Sequence, residues 1–167
     1  MIMNEPNIAL TPMTREMYHR YFKEFENDPD LYLDKSKFVP YTYSPEAVDR
    51  YIHRQIEKGR INLAVMLGKE IIGEIVLKEI EPHVCATIGM CMKNDAYKNR
   101  GYGTQAQKLA IRYVFDMLNI PTLYADALVT NVRSQHVMEK VGFVFTHADE
   151  TFRYYRIDKP IAESVSL

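Results

Sequence analysis

Lys98-Asn99-Arg100-Gly101-Tyr102-Gly103-Thr104 joins a β-forming run, Ile88–Met92, to a long stretch of helical periodicity. A strand that turns through glycines into a helix gathers free backbone N–H groups and the positive end of the helix dipole in one place. Gly101 and Gly103 carry no Cβ, so a phosphate can come close to the main chain there. Lys98 and Arg100 add side-chain cations beside it. The same residues would also make an ordinary turn, so their context has to decide. A P-loop is excluded, because no Gly-Lys-Ser/Thr closes the segment. In a dinucleotide-binding fingerprint Ala106 would stand in for the third glycine, but the long run of strands upstream does not suit a βαβ unit opening the chain.

Upstream, Asn7–Met13 reads as a first strand, and Thr14 caps a helix that starts near Arg15 and carries Tyr18, Tyr21, Phe22 and Phe25 on its apolar side. Asn27-Asp28-Pro29-Asp30 stops it, and an aromatic loop runs on to Tyr43. Ser44 and Pro45 open a second helix with Val48, Tyr51, Ile52 and Ile56 on one side, ending near Gly59. Three strands follow, Asn62–Leu67, Glu70–Glu79 and Val84–Met92, with turns at Gly68-Lys69 and Pro82-His83. Past the glycine segment, Ala106, Leu109, Ala110, Tyr113, Val114 and Met117 form a helical stripe. Thr122–Val129 is a strand and Asn131–Lys140 a helix closed by Gly142; a hairpin of Phe143–Thr146 and Thr151–Ile157 ends the order. No linker or repeat interrupts it, so residues 1–167 are expected to form one mixed α/β (α+β) domain.

Composition narrows the function classes. With 167 residues, 47% apolar, 26% charged and a net charge of −1, the chain has the balance of a globular protein with a real core. It lacks the basic footprint of a nucleic-acid binder. Cys85 and Cys91 have no Cys or His cluster around them, so no metal site is expected, and both are expected to be buried free thiols of a reducing compartment. Met1–Leu10 lacks the pattern of a secretory leader and no apolar run is long enough to span a bilayer, so a cytoplasmic protein without membrane contact is expected.

Two segments together carry a family resemblance. Lys98-Asn99-Arg100-Gly101-Tyr102-Gly103 resembles the Gln/Arg-x-x-Gly-x-Gly/Ala acyl-CoA signature of the GNAT N-acetyltransferases. Asn131-Val132-Arg133-Ser134 with Lys140-Val141-Gly142-Phe143 resembles that family's second landmark, and the element order matches along nearly the whole chain. The branch most alike contains ribosomal-protein alanine, spermidine and antibiotic acetyltransferases. The resemblance implies a mixed central sheet, flanked by helices, whose fourth and fifth strands (Thr87–Met92 and Leu123–Val129) splay apart to admit pantetheine. It implies acetyl-CoA as cosubstrate, held along Met90, Cys91 and Met92, at Lys98, Asn99, Arg100, Gly101, Tyr102, Gly103 and Thr104, and by Asn131 and Ser134. Gly89 would sit at a strand bulge whose amide polarises the acetyl carbonyl. The acceptor would be a primary amine, on a small molecule or a protein N-terminus, attacked directly without an acyl-enzyme. A homodimer is compatible with this scheme.

The chain departs from the family pattern at three positions. Lys98 replaces the first Gln or Arg, Met138 stands where many relatives have a general-acid Tyr, and Thr87 where many have Glu. Proton transfers must then use other groups or water. Ser134 is the candidate donor to the leaving thiolate; Glu79 and Glu81 are candidate bases, with Glu74 behind them. Acceptor choice is assigned to the aromatic loop Asp28–Tyr43, with Asp28, Asp30 and Asp34, and to the closing hairpin with Tyr154 and Tyr155. The competing reading, motivated by Met138 and Thr87, is a CoA-binding or interaction domain that has lost its chemistry.

Overall fold

A computed structural model describes residues 3–4 and 7–161. Residues 1–2 and 5–6 of the Met1–Leu10 stretch read for a leader, and the last six residues of the expected 1–167 domain, lie outside the described residues. The eight strands among them are β1 (Met3–Asn4), β2 (Ala9–Pro12), β3 (Ile61–Leu67), β4 (Glu70–Glu81), β5 (Cys85–Met92), β6 (Thr122–Leu128), β7 (Val144–Ala148) and β8 (Phe152–Asp158). They form one sheet in the order β1-β2-β3-β4-β5-β6-β8-β7. β5 and β6 run parallel; every other neighbouring pair is antiparallel. The four α-helices are α1 (Arg15–Lys23), α2 (Pro45–Glu57), α3 (Tyr102–Arg112) and α4 (Val132–Lys140). The architecture is mixed α+β, as expected.

Local chemistry accounts for where the helices begin. The Thr14 side chain accepts from the Met17 amide, the Ser44 side chain from the Ala47 amide with Pro45 at the first turn, and the Asn131 side chain from the Ser134 amide. Each cap satisfies one of the amides that a helix start leaves without an intrahelical partner. α3 is different. Its cap is Gly101, in the left-handed region at φ 80°, and no side chain caps it.

Alternation along the strands divides the helices between two faces. Ile8, Leu10, Leu63, Val65, Ile75, Leu77, Ala86 and Ile88 are buried with Ala106, Leu109 and Ala110 of α3 and Met138 of α4. On the other face Tyr21 of α1 is buried with Ala64 and Ile71. A buried ammonium secures the second layer: Lys93 donates to Glu24 at 2.5 Å and to Glu70 at 3.0 Å. With the Glu26 amide bonded to the Lys93 carbonyl, it ties the end of α1 to the end of β5.

Three expectations need correction. Ile56 is exposed and Gln55 is buried in its place, because the buried side of α2 runs from Val48 to Gln55, two turns on, and Ile56 stands off that line. Met117 is also exposed: Val114 is buried as its place in the stripe requires, but α3 runs into a π-helical turn, Tyr113–Met117, and the wider turn rotates the stripe so that Phe115 is buried in place of Met117. The thiols are free, yet Cys91 is exposed and Cys85 half-buried.

Candidate acyl-CoA cleft

β5 and β6 pair from Cys85↔Thr122 to Ile88↔Ala125 and then part. The divergence thus begins at Gly89 and Asp126, within the two strands expected to splay. On its other side β5 stays bonded to β4 as far as Gly73↔Met92. The stretch Gly89–Met92 therefore keeps one edge in the sheet and turns the other toward the gap. An open strand edge offers main-chain donors and acceptors to any extended chain that enters.

The gap leads into a cleft of about 640 Å³ between β5, the start of α3, the side of α4 and the loop after α1. This is a volume typical of small-molecule sites. Of the expected cofactor residues, Met90, Cys91, Met92, Lys98, Asn99, Gly101, Gly103, Thr104, Asn131 and Ser134 line it. Arg100 and Tyr102 do not, so what they would contribute is main chain. The first intrahelical bond of α3 runs from the Gln105 amide to the Gly101 carbonyl at 3.1 Å. The amides of Tyr102, Gly103 and Thr104 are therefore left for a ligand. A Cβ on Gly103 would meet the Met90 methyl at 3.1 Å, so glycine lets the helix start lie close against the cleft wall. A left-handed cap, three free amides and an open strand edge fit the diphosphate and pantetheine portions of CoA.

Lys98 is not the mobile cation that its place in the signature suggests. Its ammonium is 2.6 Å from an Asp28 carboxylate oxygen and 2.5 Å from one of Asp95. Burial opposes ionisation of Asp28, but bonds from Lys98 and from the Asp30 amide, with Lys98 and Arg133 nearby, overcome it and hold the carboxyl below its usual range. Burial likewise works against the Lys98 charge, and its two carboxylates more than compensate, raising its pKa. Asp28, expected to face an acceptor, instead fastens the loop to the cofactor signature. The remaining acids of the loop act locally: Asp30 pairs with Lys35 at 2.8 Å, and Asp34 accepts from the Ser36 amide. Its aromatics are packed, Tyr41 against Phe22 and Phe25, and Tyr32 against Phe38.

With Lys98 occupied, other basic side chains matter more. Arg133, His136 and Lys140 line the cleft from α4 beside Ser134 and Val137. Their three- and four-residue spacing puts them on one helix side, a signal that the sequence carries although no family landmark includes all three. Asn131 bonds the Ser134 amide through Oδ1 at 3.1 Å, and its Nδ2 has no partner among the described residues.

The candidate acid–base residues separate. Ser134 lines the cleft; Glu79 and Glu81 do not. Past Lys78 the β4–β5 register slips, and Glu79 is turned into a left-handed conformation at φ 52°. Its carboxylate accepts from the Thr87 hydroxyl at 2.7 Å, on the sheet face opposite α3. Glu81 stands in solvent near the hairpin, 4.0 Å from the Cys85 sulfur. Glu74 is buried and accepts from Tyr51 at 3.0 Å and Asn62 at 2.7 Å. Burial raises its pKa despite these bonds and one from Tyr18. Met138 is buried against the core, and Tyr155 is too. Tyr154 instead reaches Asp149, at 2.8 Å. Among the described residues no group of three or more His, Cys, Asp or Glu side chains is placed to hold a metal ion. No helix among them is long and apolar enough to cross a membrane.

Comparison with known proteins places this arrangement in a family. Residues 7–144 match the acetyltransferase (GNAT) domain, and the chain belongs to that family. It is therefore an acyltransferase of the GNAT class. Over 140 residues it is 28% identical to a spermidine N(1)-acetyltransferase of Escherichia coli (strain K12), covering 82% of this chain and 73% of that one. Two solved structures show the same fold. A GNAT acetyltransferase from Bacillus anthracis superposes with a TM-score of 0.73 at 20% identity, over 95% of this chain and 98% of that one. A spermidine N-acetyltransferase from Vibrio cholerae, in complex with CoA and spermine, superposes with 0.74 at 18% identity, over 93% and 97%.

Proposed function

We propose that this protein transfers an acetyl group from acetyl-CoA to a primary amine, and that a cationic amine of the polyamine class is its acceptor. The observation that carries the first part is the parting of β5 and β6 at Gly89 and Asp126, directly below the uncapped start of α3. In this reading the amides of Tyr102, Gly103 and Thr104 hold the diphosphate, with Arg133 and Lys140 adding charge from α4. The open edge of Gly89–Met92 pairs with the pantetheine amides, and the Asn131 Nδ2 donates to the same arm. Acetyl-CoA supplies the activated thioester. The chain supplies orientation, a main-chain donor near Gly89 for the acyl oxygen, and a hydroxyl at Ser134 for the departing sulfur. Support for the polyamine class comes from the relatives whose names carry spermidine. Buried in the core, Met138 has no proton to offer, and this leaves Ser134 as the hydroxyl on that wall.

Two measurements test the proposal. Calorimetric titration of the protein with CoA should show one site, and a thiol-detection assay should show release of free CoA from acetyl-CoA that depends on added spermidine. Ser134→Ala should lower kcat with little change in CoA affinity. Protein that binds CoA yet releases no thiol with spermidine, other amines or peptide N-termini would instead be a binding domain on this fold.

A further inference from the structure

Asp126 lies one residue past the last β5–β6 pair, across the opening from Gly89. Its neighbours Ala125 and Ala127 are buried with the α3 and α4 core, so its own side chain points to the opposite face. Thr87, between the core residues Ala86 and Ile88, faces the same way, and so does Gly89. A Cβ built on Gly89 would meet no atom within 4 Å, so the space above the vertex of the opening is clear on that face. The start of α3 and the side of α4, which carry the free amides and the basic side chains of the cleft, lie on the other side. A molecule approaching a thioester at the vertex without crossing the cofactor therefore passes over Gly89 and beside Asp126.

The Asp126 carboxylate already has an occupant of informative chemistry. Lys78 reaches over β5 from β4 and sets its ammonium 3.3 Å from Asp126 Oδ1, each side chain 30% exposed. This is a primary alkylammonium on a carboxylate at the edge of the opening, the same functional group as a cationic acceptor. A half-exposed pair of that length contributes little to stability, so exchanging one ammonium for another costs little. Other groups on this face are Glu79, accepting from Thr87, and Tyr154, paired with Asp126 across β6 and β8 and bonded to Asp149.

We infer that Asp126 is the residue that seats an ammonium of the acceptor at the rim of the β5–β6 opening, a charged nitrogen other than the neutral amine that attacks, and that Lys78 is its internal competitor, displaced when the acceptor binds. This rests on the proposed function and deepens it, by assigning acceptor charge selectivity to a residue on the face away from the cofactor.

The two partners give the inference opposite signs. Asp126→Asn should raise the KM for spermidine about tenfold or more, the size expected on losing a charge-assisted bond, with the KM for acetyl-CoA unchanged. Lys78→Met should lower the KM for spermidine, because the competitor is gone. A merely structural ion pair predicts that both substitutions act in the same direction. Wild-type protein that takes up no CoA, or releases no thiol with any amine, overturns the proposed function and this inference with it. Normal wild-type turnover overturns this inference alone if Asp126→Asn leaves the spermidine KM unmoved or Lys78→Met raises it. Should Asp126→Asn fail to fold, the sign of the Lys78→Met effect decides.

Discussion

Gly101 is the residue on which the cofactor cradle turns, and replacing it with alanine separates two costs. The first is conformational. Gly101 sits at φ 80° with open space where a Cβ would go, so alanine meets no neighbour and suffers only left-handed backbone strain. That strain is about 1–2 kcal/mol for an L-residue. For a chain of this size each kcal/mol lowers the melting temperature by about 2–4 °C, so a fall of about 2–8 °C is expected. The second cost is functional. The turn at Gly101 aims the amides of Tyr102, Gly103 and Thr104, and relaxing the strain turns them away from the diphosphate. Losing one bond to a charged group costs about 1.5–3 kcal/mol, or about tenfold to a hundredfold in CoA affinity. Gly59 provides the control: it has a φ of 60°, also with open space around its missing Cβ, and lies outside the cleft. Gly59→Ala should lower the melting temperature by a similar amount and leave CoA affinity untouched. Differential scanning fluorimetry and CoA titration of both variants make the comparison. Equal CoA affinities in the two would refute the argument that the amides after Gly101 hold the cofactor.

Two further substitutions test other parts of the structure. Because burial raises the Glu74 pKa in the folded chain, the folded state holds its proton more tightly than the unfolded state, whose value lies near 4.5. That contribution is therefore complete below about pH 4.5 and is lost as pH rises through the raised folded value. Glu74→Gln should remove this part of the pH dependence, and the difference between wild-type and variant melting temperatures across that window measures it; parallel curves would contradict the burial argument. At Gly73 a Cβ would lie 2.9 Å from the Cys91 carbonyl and 3.2 Å from the Met92 sulfur. Gly73→Ala should cost about 1–3 kcal/mol by overpacking. It should also weaken CoA binding, since Cys91 and Met92 wall the cleft; a variant with wild-type stability would show that β5 shifts freely.

Much of the molecule can be read one residue at a time. Thr14, Ser44 and Asn131 announce helix starts because a cap works through its own side chain and an amide two or three residues on. Tyr18 and Tyr21 are buried as their spacing requires. Helix ends were less legible. Ile56 and Met117 continue a periodic pattern, yet Gln55 takes the buried place on α2 and a π-helical turn redirects the end of α3, leaving both in solvent. Nothing local marks either event.

The site divides in the same way. Gly101, Gly103, Asn131 and Ser134 were identifiable from the sequence because a helix start, a cap and a close approach are short-range requirements. The fate of charge was not. Whether Lys98 meets a phosphate or Asp28 depends on a loop far away in the chain, and only packing brings the two together. Asp126 carries no motif. Its position follows from where two strands stop pairing, and its partner Lys78 comes from two strands across the sheet. By itself the sequence determined the order of elements, the helix caps and the glycine turn that defines the family, since these obey rules spanning a few residues. The tertiary structure alone decided which charges are free, which face each carboxylate serves and where the sheet opens, because Coulomb and contact energies depend on distance in space and not along the chain.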